Sequence, residues 1–222
     1  MTHLDIEIKN LKTDMLEMFS MVKSQLHKSR EALVKLDKDL AREVMINEKR
    51  VNSFELKLDR DCENIIALFN PVAVDLRFVL ASLKINSNLE RVGDIADGIA
   101  RFIINLKIEP EMELLEKTRL LEMFDTAAVM LNDVSLAFEN EDTRLARSIF
   151  KHDEILDEIN QNANEVVAEY IKNHIDRVNQ SLYLLSTIRK LERVGDQTKN
   201  IAEEIIFYIE AKVLKHKADK RI

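Results

Sequence analysis

Two short strings of this sequence set carboxylates at a spacing that brings them together on a helix. Glu90 and Asp94 stand four residues apart in LERVGD at 89–94, and Glu192 and Asp196 repeat the arrangement in LERVGD at 191–196. Residues four apart share one helix face, one turn above the other. Asp153 and Asp157 have the same spacing, and Glu48 and Asn52 match it with an amide in place of the second acid. All-oxygen donors of this kind suit hard or borderline cations, Mg²⁺, Mn²⁺ or iron, better than a structural zinc site.

Whether these pairs meet depends on the elements that carry them. In an antiparallel helical hairpin, positions equidistant from the turn lie side by side. Asp157 with Glu192 and Asp153 with Asp196 share a midpoint between His174 and Ile175, whereas Asn52 with Glu90 and Glu48 with Asp94 share one at Pro71. Four donors therefore converge at each of two places. Carboxylates about 5 Å apart repel by roughly 3 kcal/mol at an effective dielectric near 20. Proton uptake, an arginine or a bound cation must offset that repulsion. Arg91 and Arg193 each follow their glutamate directly and project about 100° around the helix, which favours a cation. His152 could add a nitrogen ligand but reads better as a surface residue. Asn52 removes one negative charge, so the first cluster is expected to hold a cation more weakly than the second, or to stand empty.

The acids of the third helix extend the row Leu76, Leu80, Leu83, Ser87, Glu90 and Asp94, which predicts that they continue a core-facing stripe. Gly93 and Gly195 each precede the aspartate, where glycine costs a helix about 1 kcal/mol relative to alanine. They read either as places of close helix approach or as ordinary small-residue packing.

The chain is a duplication. Leu16-Glu17-Met18-Phe19 matches Leu121-Glu122-Met123-Phe124, and Asp37-x-x-Leu40-Ala41-Arg42 matches Asp142-x-x-Leu145-Ala146-Arg147 at the same offset. The LERVGD strings then match at an offset three residues shorter. Repetition at this length implies two similar units, 1–108 and 109–222, divided near Pro110. Each unit reads as three helices, over about 4–34, 39–69 and 71–107, then 112–139, 142–172 and 176–214. Asp37 and Asp39 can cap the second helix of the first unit, with Asp142 in the matching role in the second, and Asn70-Pro71 reads as an N-cap with proline in the first turn. Val44, Val51, Leu58 and Ile65 form a heptad core stripe. The expected fold is all-α: two tandem three-helix bundles of six long helices, related by a pseudo-two-fold axis.

The bulk composition agrees. The chain has 222 residues, of which 46% are hydrophobic, with three Gly and two Pro; strands would need more frequent turn residues. A net charge of −7 disfavours nonspecific nucleic-acid binding. The single cysteine, Cys62, reads as a core residue in a reducing compartment. Without a signal sequence or an apolar run of about 18 residues, the expected location is cytoplasmic. Met15, Met18 and Met21 read as core rather than as a docking face, and the basic tail from Lys212 through Lys215, Lys217, Lys220 and Arg221 as a plain chain end.

The strings LERVGDIADGIA at 89–100 and LERVGDQTKNIAEEI at 191–205 resemble the twice-repeated Glu/Asp-x-x-x-Asp signature of the PhoU family. Pro71 to Arg77 resembles that family's Pro-x-x-x-Asp-Leu-Arg segment, and the likeness covers essentially the whole chain. It implies paired three-helix bundles binding divalent or trivalent metal ions, with Mg, Mn, Fe and Zn as candidates. It further implies a homodimeric, non-enzymatic negative regulator of phosphate uptake and phosphate-starvation signalling. The implied partners are the phosphate ABC transporter ATPase and a phosphate sensor histidine kinase, with peripheral membrane association through them alone. By motif match, Glu90, Asp94, Glu192, Asp196, Asp153, Asp157 and Glu48 carry over as ligands, with Asn52 the departure. Asp75 and Arg77 carry over as partner contacts in the first repeat only, since 173–179 breaks the pattern in the second.

Two other readings use the same residues. A ferritin-like di-metal enzyme would place inward carboxylates on four helices, but it needs Glu-x-x-His pairs, and Ser24, Ile149, Ile171 and Val213 stand three before His27, His152, His174 and His216. A metal-free helical scaffold would leave the acids solvated.

Overall fold

The structure is a computed structural model that describes residues 2–214. Those residues form seven α-helices and no strand: α1 (His3–Lys35), α2 (Lys38–Phe69), α3 (Ala73–Asn105), α4 (Met112–Lys117), α5 (Leu120–Asn140), α6 (Thr143–Asn173) and α7 (Val178–Glu210), with a 3₁₀ turn at Ile175–Arg177 before the last. The first three helices pack on one another as one bundle, and α5, α6 and α7 as a second.

The second helices begin where the sequence signals them. The Asp37 carboxylate accepts from the amides of Asp39 and Leu40, and Asp142 does the same for Arg144 and Leu145. Val44, Val51, Leu58 and Ile65 are buried as the heptad predicts, together with Cys62, Met15 and Met18. Burial pushes the Cys62 thiol up to about 12, which makes it an inert core residue.

Two details differ from the sequence reading, and a third is unusual in itself. Asn70 is not an N-cap but closes α2 in the left-handed region, with φ 46°, and Val72 precedes α3 with no side-chain cap. The expected fourth helix is broken at Thr118 and Arg119. There the Thr118 hydroxyl bonds back to the carbonyls of Leu114 and Leu115 while Arg119 takes φ 53°, a local alternative to helical pairing that the residue types do not announce. Finally, helix ends at Leu36, Asn70, Glu141 and Ala211 are left-handed, yet no glycine has positive φ. The usual glycine stop signal is therefore missing from the chain.

The two bundles join along two seams, α3 with α7 and α1 with α5, and α2 and α6 lie outermost. On the α3–α7 seam Lys84 pairs with Glu204 at 3.1 Å and Asn200 donates to Asn88. Lys190 lies against Gly98, where a Cβ would collide with its ammonium. The repeat offset carries Asn88 onto Lys190 and Gly98 onto Asn200, so one contact becomes the other with its helices exchanged, the signature of a pseudo-two-fold. Where the seams meet, Phe19, Phe78, Phe138 and Tyr208, one from each joining helix, form an aromatic cluster with centroids 5.5 to 6.3 Å apart. Such pairs add about 0.5–1.5 kcal/mol each beyond their burial. Among the described residues no helix is long and apolar enough to cross a membrane.

Candidate metal centre

Each acidic group lies along the seam of a hairpin, α2 with α3 and α6 with α7. The turns fall where the shared midpoints put them, around Pro71 and at the 3₁₀ turn after Asn173.

In the first hairpin Glu48 comes from α2 and Glu90 and Asp94 from α3. One oxygen from each lies within 4.8 Å of the others, which is close enough to share a cation. Glu48 is 6% exposed. Its Oε2 accepts from Gln25 Nε2 of α1 at 3.0 Å, while Oε1 has no hydrogen-bond partner. A buried carboxylate oxygen without a donor is costly, and a cation would satisfy it. Burial pushes the Glu48 carboxyl up to about 7, opposed by the Gln25 hydrogen bond and reinforced by the charges of Asp94, Asp97 and Glu90. Burial also raises Glu90, helped by Asp94 and Glu55.

The third-helix row is displaced from its expected place. Leu80 and Asp94 are exposed and Glu90 is half-buried, while Phe78, Val79, Ser82, Ile85, Leu89 and Val92 face the core. The acids sit on the shoulder of α3, rotated about one position from the buried face. That shoulder lets them reach α2 and remain open to an arriving ion. Asn52 is exposed on α2.

The second hairpin brings its acids together in a different way. Asp153 is buried, and its Oδ2 meets the Lys199 ammonium at 2.5 Å; the same nitrogen reaches Asp196 Oδ1 at 3.0 Å. Burial raises the Asp153 carboxyl and Lys199 opposes that rise. For Lys199 itself burial works against the charge, but the hydrogen bonds to Asp153 and Asp196 outweigh it and hold its pKa above that of an ordinary lysine. Glu192 is raised by burial and then by the charges of Asp196, Asp157 and Asp153, but among the described residues only the first-repeat trio brings three carboxylate oxygens within 4.8 Å of one another.

The glycines make room for the second-helix acids. A Cβ on Gly93 would stand 2.9 Å from Glu48 Oε2 and 3.0 Å from Gln25 Oε1, and one on Gly195 would stand 2.7 Å from Asp153 Oδ1 and from Leu156 Cδ1. Of the two sequence readings, close approach is the right one, and what approaches is a carboxylate.

Two residues of the centre escaped the sequence reading. Lys199 lies three residues beyond Asp196, on the same face, in GDQTK where the first repeat has GDIAD; that difference was visible. Gln25 interrupts the apolar stripe of Met18, Val22 and Leu26 and is 1% exposed, a signal of a buried polar task. His152 is half-buried beside Asp153 and is not part of the converging trio. Arg91 and Arg193 are exposed, as their helix positions imply. Arg77 donates to the Tyr208 carbonyl at 3.2 Å, tying α3 to the end of α7, while Asp75 lies half-buried in the first turn of α3.

A chain of two pseudo-symmetric helical bundles, each with carboxylates gathered in one hairpin seam, defines a class of duplicated all-α proteins. The chain belongs to the PhoU family, whose PhoU domain matches residues 15–103 and again 120–205. It is 30% identical over 214 residues to phosphate-specific transport system accessory protein PhoU homolog 1 of Thermotoga maritima, covering 96% of this chain and 91% of that one. To the accessory protein PhoU of Escherichia coli it is 32% identical over 211 residues, covering 95% and 86%. Among solved structures it resembles PhoU from Pseudomonas aeruginosa, with a TM-score of 0.88 and 27% identity over 95% of this chain and 100% of that one. The phosphate transport system regulatory protein PhoU from Streptococcus pneumoniae is similar at a TM-score of 0.83 and 27% identity, over 96% and 99%.

Proposed function

We propose that this chain is a metal-binding accessory protein of a phosphate transport system, and that it represses phosphate uptake and phosphate-starvation signalling as an adaptor rather than an enzyme. Its partners in this reading are the transporter ATPase and a sensor histidine kinase. It works as a cytoplasmic homodimer and reaches the membrane only through those partners. The observation that carries the metal part is the trio Glu48, Glu90 and Asp94, whose oxygens converge within 4.8 Å while Glu48 Oε1 has no other partner.

Those three residues would hold the ion in the first repeat, and Asp153, Asp157, Glu192 and Asp196 form the corresponding set in the second. A bound cation supplies positive charge, which cancels the mutual repulsion of the carboxylates. The chain's own residues set up the rest. Gln25 orients Glu48, Gly93 lets it enter the seam, and Glu90 and Asp94 face it from the neighbouring helix. Metal binding in this geometry clamps α2 to α3 and sets the shape of the outer surface a partner meets.

The test is complementation in a bacterium lacking its own PhoU relative. The intact chain should restore repression of a phosphate-starvation reporter, and the Glu90→Gln, Asp94→Asn double variant should not, although it folds. Affinity capture should retain the transporter ATPase and the kinase when each is offered alone. Repression by a variant shown to carry no metal would refute the metal part, and failure of the intact chain to repress would refute the regulatory part.

A further inference from the structure

The two hairpins are related by the repeat, so their acids can be compared position by position. Glu48 corresponds to Asp153 and Asp94 to Asp196. In the first repeat those two residues belong to the converging trio. In the second, the Lys199 ammonium stands between them, 2.5 Å from Asp153 Oδ2 and 3.0 Å from Asp196 Oδ1. A lysine of the chain therefore occupies the cation's place in the second repeat. The residue that corresponds to Lys199 is Asp97, which is turned away into an ion pair with Arg101 at 2.6 Å.

Charge counting cancels the effect assigned to Asn52. The first seam holds three carboxylates, Glu48, Glu90 and Asp94, and none of them forms an ion pair among the described residues. The second holds four, Asp153, Asp157, Glu192 and Asp196, less the one charge of Lys199. Both seams thus present a net charge of −3. Each inner acid keeps one oxygen without a hydrogen-bond partner, Glu48 Oε1 and Asp153 Oδ1; they differ in that Asp153 has the Lys199 ammonium on its other oxygen, whereas Glu48 has the neutral Gln25 amide.

Resting on the metal reading above, we propose that the two centres are functionally unequal: the first repeat takes up metal directly, and Lys199 acts as a built-in cation that closes the second until it is displaced. Metal entry there must separate an ammonium from two carboxylates, a cost the first seam does not carry. This makes Lys199 the specificity-determining residue between a resident site and a conditional one. The conditional site fills only where metal is abundant or where a partner draws the flexible lysine away.

The test is calorimetric titration of chelator-stripped full-length protein with Mn²⁺, with stoichiometry checked by elemental analysis. The unaltered chain should show a single high-affinity phase that Glu90→Gln removes and Glu192→Gln leaves in place. Lys199→Met should add a second phase tightened by about tenfold or more, the scale expected for removing a unit charge a few ångströms from the ion, and Asp196→Asn should abolish it. Lys199→Arg, which keeps the charge, should keep the second seam closed. Two equal phases in the unaltered chain, or loss of the tight phase in Glu192→Gln, would overturn the inequality while leaving metal binding intact. Absence of Mn²⁺ binding by both the unaltered chain and Lys199→Met would sink the metal reading and this inference with it. If Lys199→Met does not fold, the Glu90→Gln and Glu192→Gln comparison decides alone.

Discussion

Replacing Glu48 by glutamine isolates the electrostatic strain in the first seam. The ordinary value of a glutamate carboxyl is 4.5, and burial in the folded chain moves Glu48 to about 7. Between those values the folded state keeps a proton that the unfolded chain has released, so stability falls as pH rises through that window and levels off above it. At about 1.4 kcal/mol for each pH unit between the two values, the loss amounts to about 3 kcal/mol by pH 8. Glutamine cannot ionise, yet it keeps an oxygen to accept from Gln25 Nε2 and has nearly the same shape. In excess chelator, Glu48→Gln should therefore match the unaltered chain within about 0.5 kcal/mol at pH 4.5 and exceed it by about 3 kcal/mol at pH 8. Urea denaturation at a series of pH values measures this directly, and the difference between variants cancels the other titrating groups. With saturating Mn²⁺ the order at pH 8 should reverse, because the variant has lost a charged ligand. A gap that does not change with pH, or a variant less stable at pH 8 in chelator, would refute the assignment of Glu48 as a buried carboxylate held under repulsion.

Further outcomes follow from packing and capping. Gly195→Ala should destabilise by about 1–3 kcal/mol despite its better helix propensity, because the new methyl meets Asp153 and buried Leu156 at 2.7 Å; thermal denaturation by circular dichroism reads it, and a neutral or stabilising result would mean the seam has room. Asp142→Ala should cost about 1 kcal/mol through loss of the bonds to the Arg144 and Leu145 amides, measured as a shift in the urea midpoint; no shift would place the start of α6 elsewhere.

The duplication shows how far local information reached. Matching strings at fixed offsets, aspartate caps and a heptad stripe are properties of short stretches, and α1, α2, α5 and α6 end close to where those signals put them. The midpoint relation also needs only helix geometry and a turn, which is why residue spacing alone sets Asp153 opposite Asp196, where Lys199 bridges them. The α2–α3 junction and the break at Arg119 were illegible for a common reason. Both use left-handed non-glycine residues, Asn70 and Arg119, held by backbone bonding at the end of α2 and by the Thr118 hydroxyl at the break, so no glycine marks them.

The site divides along the same line. Residue spacing along the chain was enough to say that two groups of acids exist, which helices carry them and that they face one another across a turn, because those relations depend on the helical repeat alone. Only the tertiary structure could show that the third-helix acids ride the shoulder of the bundle instead of its core, that Gln25 reaches in from a helix 23 positions away in sequence, and that Lys199 fills the second seam. Each of these depends on how three helices are rotated about their own axes. That rotation is decided by the simultaneous packing of Phe19, Leu89, Val92 and their neighbours, not by any one segment.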